Sequence, residues 1–301
     1  DSIYLMIIAR FIQGTGAISS TVFALVADLT RAEVRTRANA AMGISIGIAF
    51  AIAFLVAPFF GEWFGLRGMF GIIAIFSIIS LILILTTVPN PVAIPLIPEK
   101  TSFLKITKKV WKVSSLRTIC WGGFVCGAGL SSTFFLIPMI LVNQGYEREE
   151  MWKIYLPMML AGALMMILAS IFAEVQNRFR EVMLFGVSLL LMSAIAMGIA
   201  QEQQIMLWFI IALFLFFMGF NIFEPIFPSL VTRTTTAETK GTAMGVFNFA
   251  QFFGHFAGAI LAGALYLDYL CIFILLIALA ELWFFYLTLS FTNPEKSIKK
   301  I

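Results

Sequence analysis

The sequence predicts an all-α membrane protein that crosses the bilayer many times, and three observations carry that prediction. Of its 301 residues, 61% are hydrophobic and only 12% are charged. A soluble domain carries about 25% charged residues, because its outside must be solvated; at half that share, most of this chain's surroundings are themselves apolar. The mean hydropathy of +0.99 agrees. The apolar residues also fall in stretches of roughly 18 residues or more, the length a helix needs to cross about 30 Å of hydrocarbon. Nine such stretches occur, at about 3–27, 39–60, 68–88, 118–142, 152–173, 182–200, 205–231, 242–266 and 270–290.

In order along the chain, the first three spans fill residues 1–88 and make a partial N-terminal bundle. Residues 89–117 follow as a linker. It opens on Pro91, Pro95 and Pro98, which resist helix, and continues through Lys100, Lys105, Lys108, Lys109, Lys112 and Arg117. Residues 118–301 hold the remaining spans as a six-helix bundle, separated by short polar turns such as Asn143–Glu150 and Gln201–Gln204. Cys120, Cys126 and Cys271 sit inside apolar runs and offer neither a disulfide framework nor metal-ligand spacing. The first residues lack the charged stub and short apolar core of a signal peptide. The chain starts at Asp1 rather than at methionine, and the expectation is that the beginning of the N-terminal bundle is missing.

Lysine and arginine are enriched in cytoplasmic loops. When the loops are alternated, all of the 20 basic residues except Arg10, Arg67, Arg148 and Lys153 fall on one side. That side is read as cytoplasmic, with the C-terminus on it and the N-terminus outside. The net charge of +4 is therefore a topology signal and calls for no nucleic-acid partner.

An internal repeat sets the architecture. Asp28–Ala38 (DLTRAEVRTRA) lies on Arg233–Ala243 (RTTTAETKGTA) without gaps, matching Ala32-Glu33 to Ala237-Glu238, Thr30 to Thr235 and Ala38 to Ala243. At the same register Phe11, Gly14, Leu25 and Val26 meet Phe216, Gly219, Leu230 and Val231. The copies lie on the first and seventh spans and the loop after each. An even number of spans separates them, so they share an orientation. Parallel six-helix repeats flanking a basic central loop mark the major facilitator fold, here with nine transmembrane helices and an incomplete N-terminal bundle.

At the level of motifs, Arg10-Phe11-Ile12-Gln13-Gly14-Thr15-Gly16 resembles the fourth-helix motif of the major facilitator superfamily. VADLTRAEVRTRANAAMG, NIFEPIFPSLV and KGTAMGVFNFAQFFG resemble its YajR-type drug:proton antiporters over almost the whole chain. The resemblance implies a proton-driven exporter of small amphiphilic compounds in a bacterial inner membrane. The family's fifth-helix antiporter motif, ending Gly-Pro-x-x-Gly-Gly, appears here as Ala57-Pro58-Phe59-Phe60-Gly61-Glu62, with Ala53 where another glycine is expected. That departure weakens the antiport implication and leaves the transporter implication intact.

Charge at bilayer depth costs roughly 2.5–3.5 kcal/mol on insertion scales, so each embedded polar group needs an explanation. Arg10 and Gln13 share a helix face; they either line the translocation cavity or Arg10 is a structural cation on a neighbouring helix backbone. Glu224 follows Asn221 by three residues and precedes Pro225 and Pro228. Pro225 cannot donate to the Asn221 carbonyl, and freed carbonyls at this depth need a protein or water-lined space. A poorly solvated carboxyl there can load and release a proton, or it fixes a helix kink. Asn248, Gln251 and His255 form a polar stripe that faces a cavity or bonds across helices. Beside it Ala250, Gly254, Gly258 and Ala262 form a small-residue ridge suited to close helix contact. By resemblance Asp28, with Arg35 nearby, latches a cytoplasmic gate, and Pro58 and Gly61 occupy the antiporter-motif positions.

The function predicted is secondary active transport by alternating access, proton-coupled, with lipid, protons and a small molecule as partners and no cofactor. No phosphate-binding Gly-rich loop ending in Lys-Ser/Thr is present, so ATP is not the energy source. A membrane-embedded enzyme would need an acid–base or metal cluster, and one histidine with Asp1, Asp28 and Asp268 as the only aspartates supplies none. A non-transporting fragment or remnant is the other alternative.

Overall fold

The computed structural model describes residues 3–16, 21–22, 25–26, 29–30, 35–89, 103–147, 150–203, 205–235, 239–291 and 293. All regular structure among them is helical. The chain divides into two compact units, Asp1–Lys100 and Thr101–Ile301.

In the first unit, α1 runs Ile3–Thr15 and α2 runs Arg35–Thr87. The expectation of two spans, 39–60 and 68–88, meets one long helix interrupted at Gly65, whose φ of 59° and ψ of −177° are non-helical. Only glycine adopts that conformation without strain, so the chain breaks where the polar turn was expected. The part of α2 from Phe59 to Thr87 is long and apolar enough to span a membrane.

In the second unit, a short amphipathic helix, α3 (Phe103–Trp111), lies within the expected linker. Six long helices follow: α4 Ser114–Asn143, α5 Trp152–Val175, α6 Phe179–Gln203, α7 Met206–Arg233, α8 Lys240–Ala264 and α9 Tyr269–Ser290. Counting Phe59–Thr87, seven helices among the described residues can cross a membrane by length and composition. The α4–α5 turn is made by Gly145, at φ 86°, with Tyr146 N–H donating back to the Leu141 carbonyl at 3.0 Å. Asp268 caps α9 by accepting from Cys271 N–H. Pro225 and Pro228 lie inside α7 without ending it.

Two kinds of contact build this bundle. The first is glycine against backbone. A Cβ at Gly254 would collide with the Phe124 carbonyl, and one at Gly258 with the backbone of Ala128; from the other side, one at Gly127 would meet His255 N at 3.0 Å. The expected small-residue ridge is thus the seam between α8 and α4, where close approach maximises dispersion in the absence of a hydrophobic drive. The second is aromatic. Trp283 of α9 is fully buried, donates from Nε1 to the Thr118 carbonyl at 3.1 Å, and packs against Phe223 and Phe227 of α7 at 5.0 and 5.9 Å. It sits over Gly122, which leaves room for the ring.

Candidate functional site

The polar groups singled out from the sequence fall into three places. In the first unit, Arg10 and Gln13 do share one face of α1: Arg10 Nη1 donates to Gln13 Oε1 at 2.8 Å. The guanidinium also lies over the Phe70 ring of α2, 4.9 Å from its centroid, an arrangement in which the ring's negative face receives the cation. Neither of the two sequence readings foresaw Phe70. Gly61 is half-buried, with Met69 Sδ 3.8 Å from where its Cβ would stand. Arg35 and Pro58 lie on the helical backbone of α2, while their side chains, and the whole of Asp28, fall outside the described residues.

The second place is one face of α7. Asn221 is half-buried; its Nδ2 donates to the Phe217 carbonyl at 2.8 Å, one turn back on its own helix. It lies against Gly162 of α5, whose missing side chain leaves space for the amide. Glu224 is exposed one turn further on, and Pro225 and Pro228 are half-buried beside it. Phe223, Phe227 and Leu230 flank it and are buried, as are Phe217 and Val231, seven residues to either side on the same helix face. Glu224 is therefore exposed at a local gap in the packing of α7. Among the described residues no cation pairs with it.

The third place is the α4–α8 seam. Ser131 Oγ and His255 Nδ1 lie 3.0 Å apart, and Ser132 Oγ donates to the Gly258 carbonyl at 3.0 Å. Of the two readings of the polar stripe, His255 follows the cross-helix bond. Asn248 and Gln251 are half-buried on the same helix. None of the three lines the cavity of about 1170 Å³ between α3, α4, α8 and α9.

Sequence reasoning missed a cluster joining helix ends. Arg233, at the end of α7, has its guanidinium 5.0 Å from the Phe179 ring centroid and 3.8 Å from Glu174 Oε1. Arg180 Nη2 donates to the Thr288 carbonyl at 2.7 Å, and Arg180 N–H to Asn293 Oδ1 at 3.0 Å. These contacts tie the ends of α5, α6, α7 and α9. Arg178, Arg180 and Arg233 had been read only as topology signals. The available clue was the repeat itself, which lays Arg233 on Asp28, the position given a latching role by resemblance.

A bundle of long apolar helices, closed by glycine seams and carrying isolated polar groups, defines a polytopic membrane protein. The model of the Major Facilitator Superfamily matches residues 1–259, and the chain belongs to that family of membrane transporters. It is 35% identical over 263 residues to the inner membrane transport protein YajR of Escherichia coli K12, covering 87% of this chain and 58% of that protein. It is 30% identical over 259 residues to the uncharacterized transporter BU466 of Buchnera aphidicola from Acyrthosiphon pisum, covering 85% of this chain and 66% of the relative. A further uncharacterized transporter, of Buchnera aphidicola from Baizongia pistaciae, is 26% identical over 94% of this chain and 73% of its own length. The chain thus spans about three-fifths of the first of these relatives.

Proposed function

We propose that the protein of which this chain is part exports small amphiphilic compounds across a bacterial inner membrane, coupled to protons and by alternating access. On this reading residues 1–88 contribute three spans of an N-terminal bundle, 89–117 a cytoplasmic linker, and 118–301 a six-helix C-terminal bundle that ends on the cytoplasmic side. The observation that carries the reading is the gap in the packing of α7 where Glu224 stands exposed beside the half-buried Asn221, Pro225 and Pro228. An ionisable side chain within a transmembrane helix marks an ion or substrate path by default. Transporters of this fold bind cargo near the midplane, between the two helix bundles.

Glu224 is assigned the proton site, and Arg10 with Gln13 a place on the cargo path. The Glu174–Arg233 and Arg180–Thr288 contacts brace the cytoplasmic end, as the Asp28 and Arg35 region does in the first repeat. The protein is read as a transporter rather than an enzyme. Support for the inner-membrane setting comes from the printed name of its Escherichia coli relative.

The test is Glu224→Gln in the full-length protein, assayed for dye efflux and proton flux in everted vesicles. Efflux should fall to background with normal membrane expression, because glutamine keeps the shape and cannot carry the proton. Undiminished efflux would remove Glu224 from the mechanism.

A further inference from the structure

A cavity of about 1170 Å³ opens between α3, α4, α8 and α9. It exceeds the usual 300–1,000 Å³ range of small-ligand pockets, and none of the polar groups assigned to transport lines it. Its lining contains no carboxylate.

Its rim and depth are set by the helix ends. Trp111, Arg117, Gly241 and Tyr286 lie where α3 ends, α4 and α8 begin and α9 approaches its end. From Gly241 the cleft follows α8 to Phe253, which at 1.5 Å per residue is about 18 Å. That is slightly more than half of the roughly 30 Å hydrocarbon thickness, the depth of one leaflet. The walls are aromatic: Trp121 stacks on Phe124 at 5.4 Å, Phe124 meets Phe253 at 6.0 Å, and Phe253 stacks on Phe249 at 6.0 Å. Phe249 remains 70% exposed, so the cleft is open along α8.

The charge at the rim is of one sign. Arg117 lines the cavity; Lys108 and Lys109 are exposed on α3 and Lys112 is exposed just after it. Among the described residues no carboxylate pairs with any of these four. Basic groups at the interface beside an apolar slot between transmembrane helices match the chemistry of a phosphate head group with its tail below. A water-soluble anion would find the charge but not use the slot, and a neutral amphiphile would use the slot but not the charge.

We infer that this cleft holds one anionic phospholipid, its phosphate at Arg117 and an acyl chain between α8 and α9. The inference needs the bundle to lie in a membrane with this cleft facing lipid, and it is independent of what the protein carries.

Native mass spectrometry of the full-length protein, incubated in detergent with phosphatidylglycerol or with phosphatidylcholine of the same chains, tests it. The wild type should retain one phosphatidylglycerol, at least tenfold in preference to phosphatidylcholine. Arg117→Gln should bring the two lipids to near parity. A Cβ at Gly245 meets nothing within 4 Å, so Gly245→Phe should fill the cleft and remove the retained lipid of either kind while the protein stays monodisperse. Equal retention of both lipids by the wild type, or retention unchanged by Gly245→Phe, would mean annular lipid only and would overturn the assignment. A wild type that retains no lipid would overturn it too, leaving protein segments as the occupant.

Discussion

α4 in the second unit and the Phe59–Thr87 part of α2 in the first are apolar helices of nearly equal length, 30 and 29 residues. Yet 56% of the apolar window of α4 is buried and none of that of Phe59–Thr87. Hydropathy makes them look alike, and each carries four glycines; what separates them is where the glycines lie and what they meet. α4 carries Gly122, Gly123, Gly127 and Gly129 through its middle, and three of these meet aromatic rings or the α8 backbone at or inside 3 Å of a hypothetical Cβ. In Phe59–Thr87 the four glycines lie in the first half, where Gly65 and Gly71 meet nothing within 4 Å, and 11 of the 16 residues after Gly71 are Ile, Leu or Phe, side chains that hold a neighbouring backbone away. Apolarity decides that a helix enters the bilayer. Side-chain size decides what it packs against there.

Substitutions that reverse this difference test it most severely. Gly258→Leu should cost at least about 3 kcal/mol, because its Cβ collides with the Ala128 backbone and its bulk parts Ser132 from the Gly258 carbonyl. The readout is loss of the monodisperse peak on gel filtration in detergent. Trp283→Phe keeps an aromatic plug but removes the bond to Thr118 and part of the ring volume; a cost of roughly 2 kcal/mol should appear as a lower Tm. Ser131→Ala removes one cross-helix bond to His255, which is worth about 0.6 kcal/mol on average in a membrane; a double-mutant cycle with His255→Ala would isolate it. Gly71→Leu in the first unit meets nothing within 4 Å and should change stability by less than about 0.5 kcal/mol. Should Gly71→Leu prove as damaging as Gly258→Leu, the contrast between the two helices is wrong.

Much of this was legible beforehand. The ridge Ala250, Gly254, Gly258, Ala262 could be read as a contact surface because four-residue spacing places small side chains on one helix face. The break near Gly65 followed from the polar turn around Arg67. What lay opposite the ridge was not legible: nothing in the periodicity of α8 selects Phe124 and Ala128 of α4 as partners over any other helix. The same limit applied to Arg10. Its spacing to Gln13 is local and was foreseen, whereas the Phe70 ring beneath it belongs to a distant segment. Arg180 and Arg233 were visible as charges, and only the meeting of four helix ends turned them into a brace.

The sequence by itself determined that this chain is a membrane protein and where its long apolar helices run from residue 59 onward, and it carries the repeat between Asp28–Ala38 and Arg233–Ala243. Those properties depend on summed transfer free energies and on residues near one another along the chain, and both are carried in one dimension. The tertiary structure decided which face of each helix is seam and which is open. It thereby left Glu224 exposed at a gap in the packing of α7, set His255 against Ser131, and formed an apolar cleft rimmed by Arg117. Those outcomes depend on close packing between segments far apart in the chain, where displacements of an ångström decide whether two backbones touch.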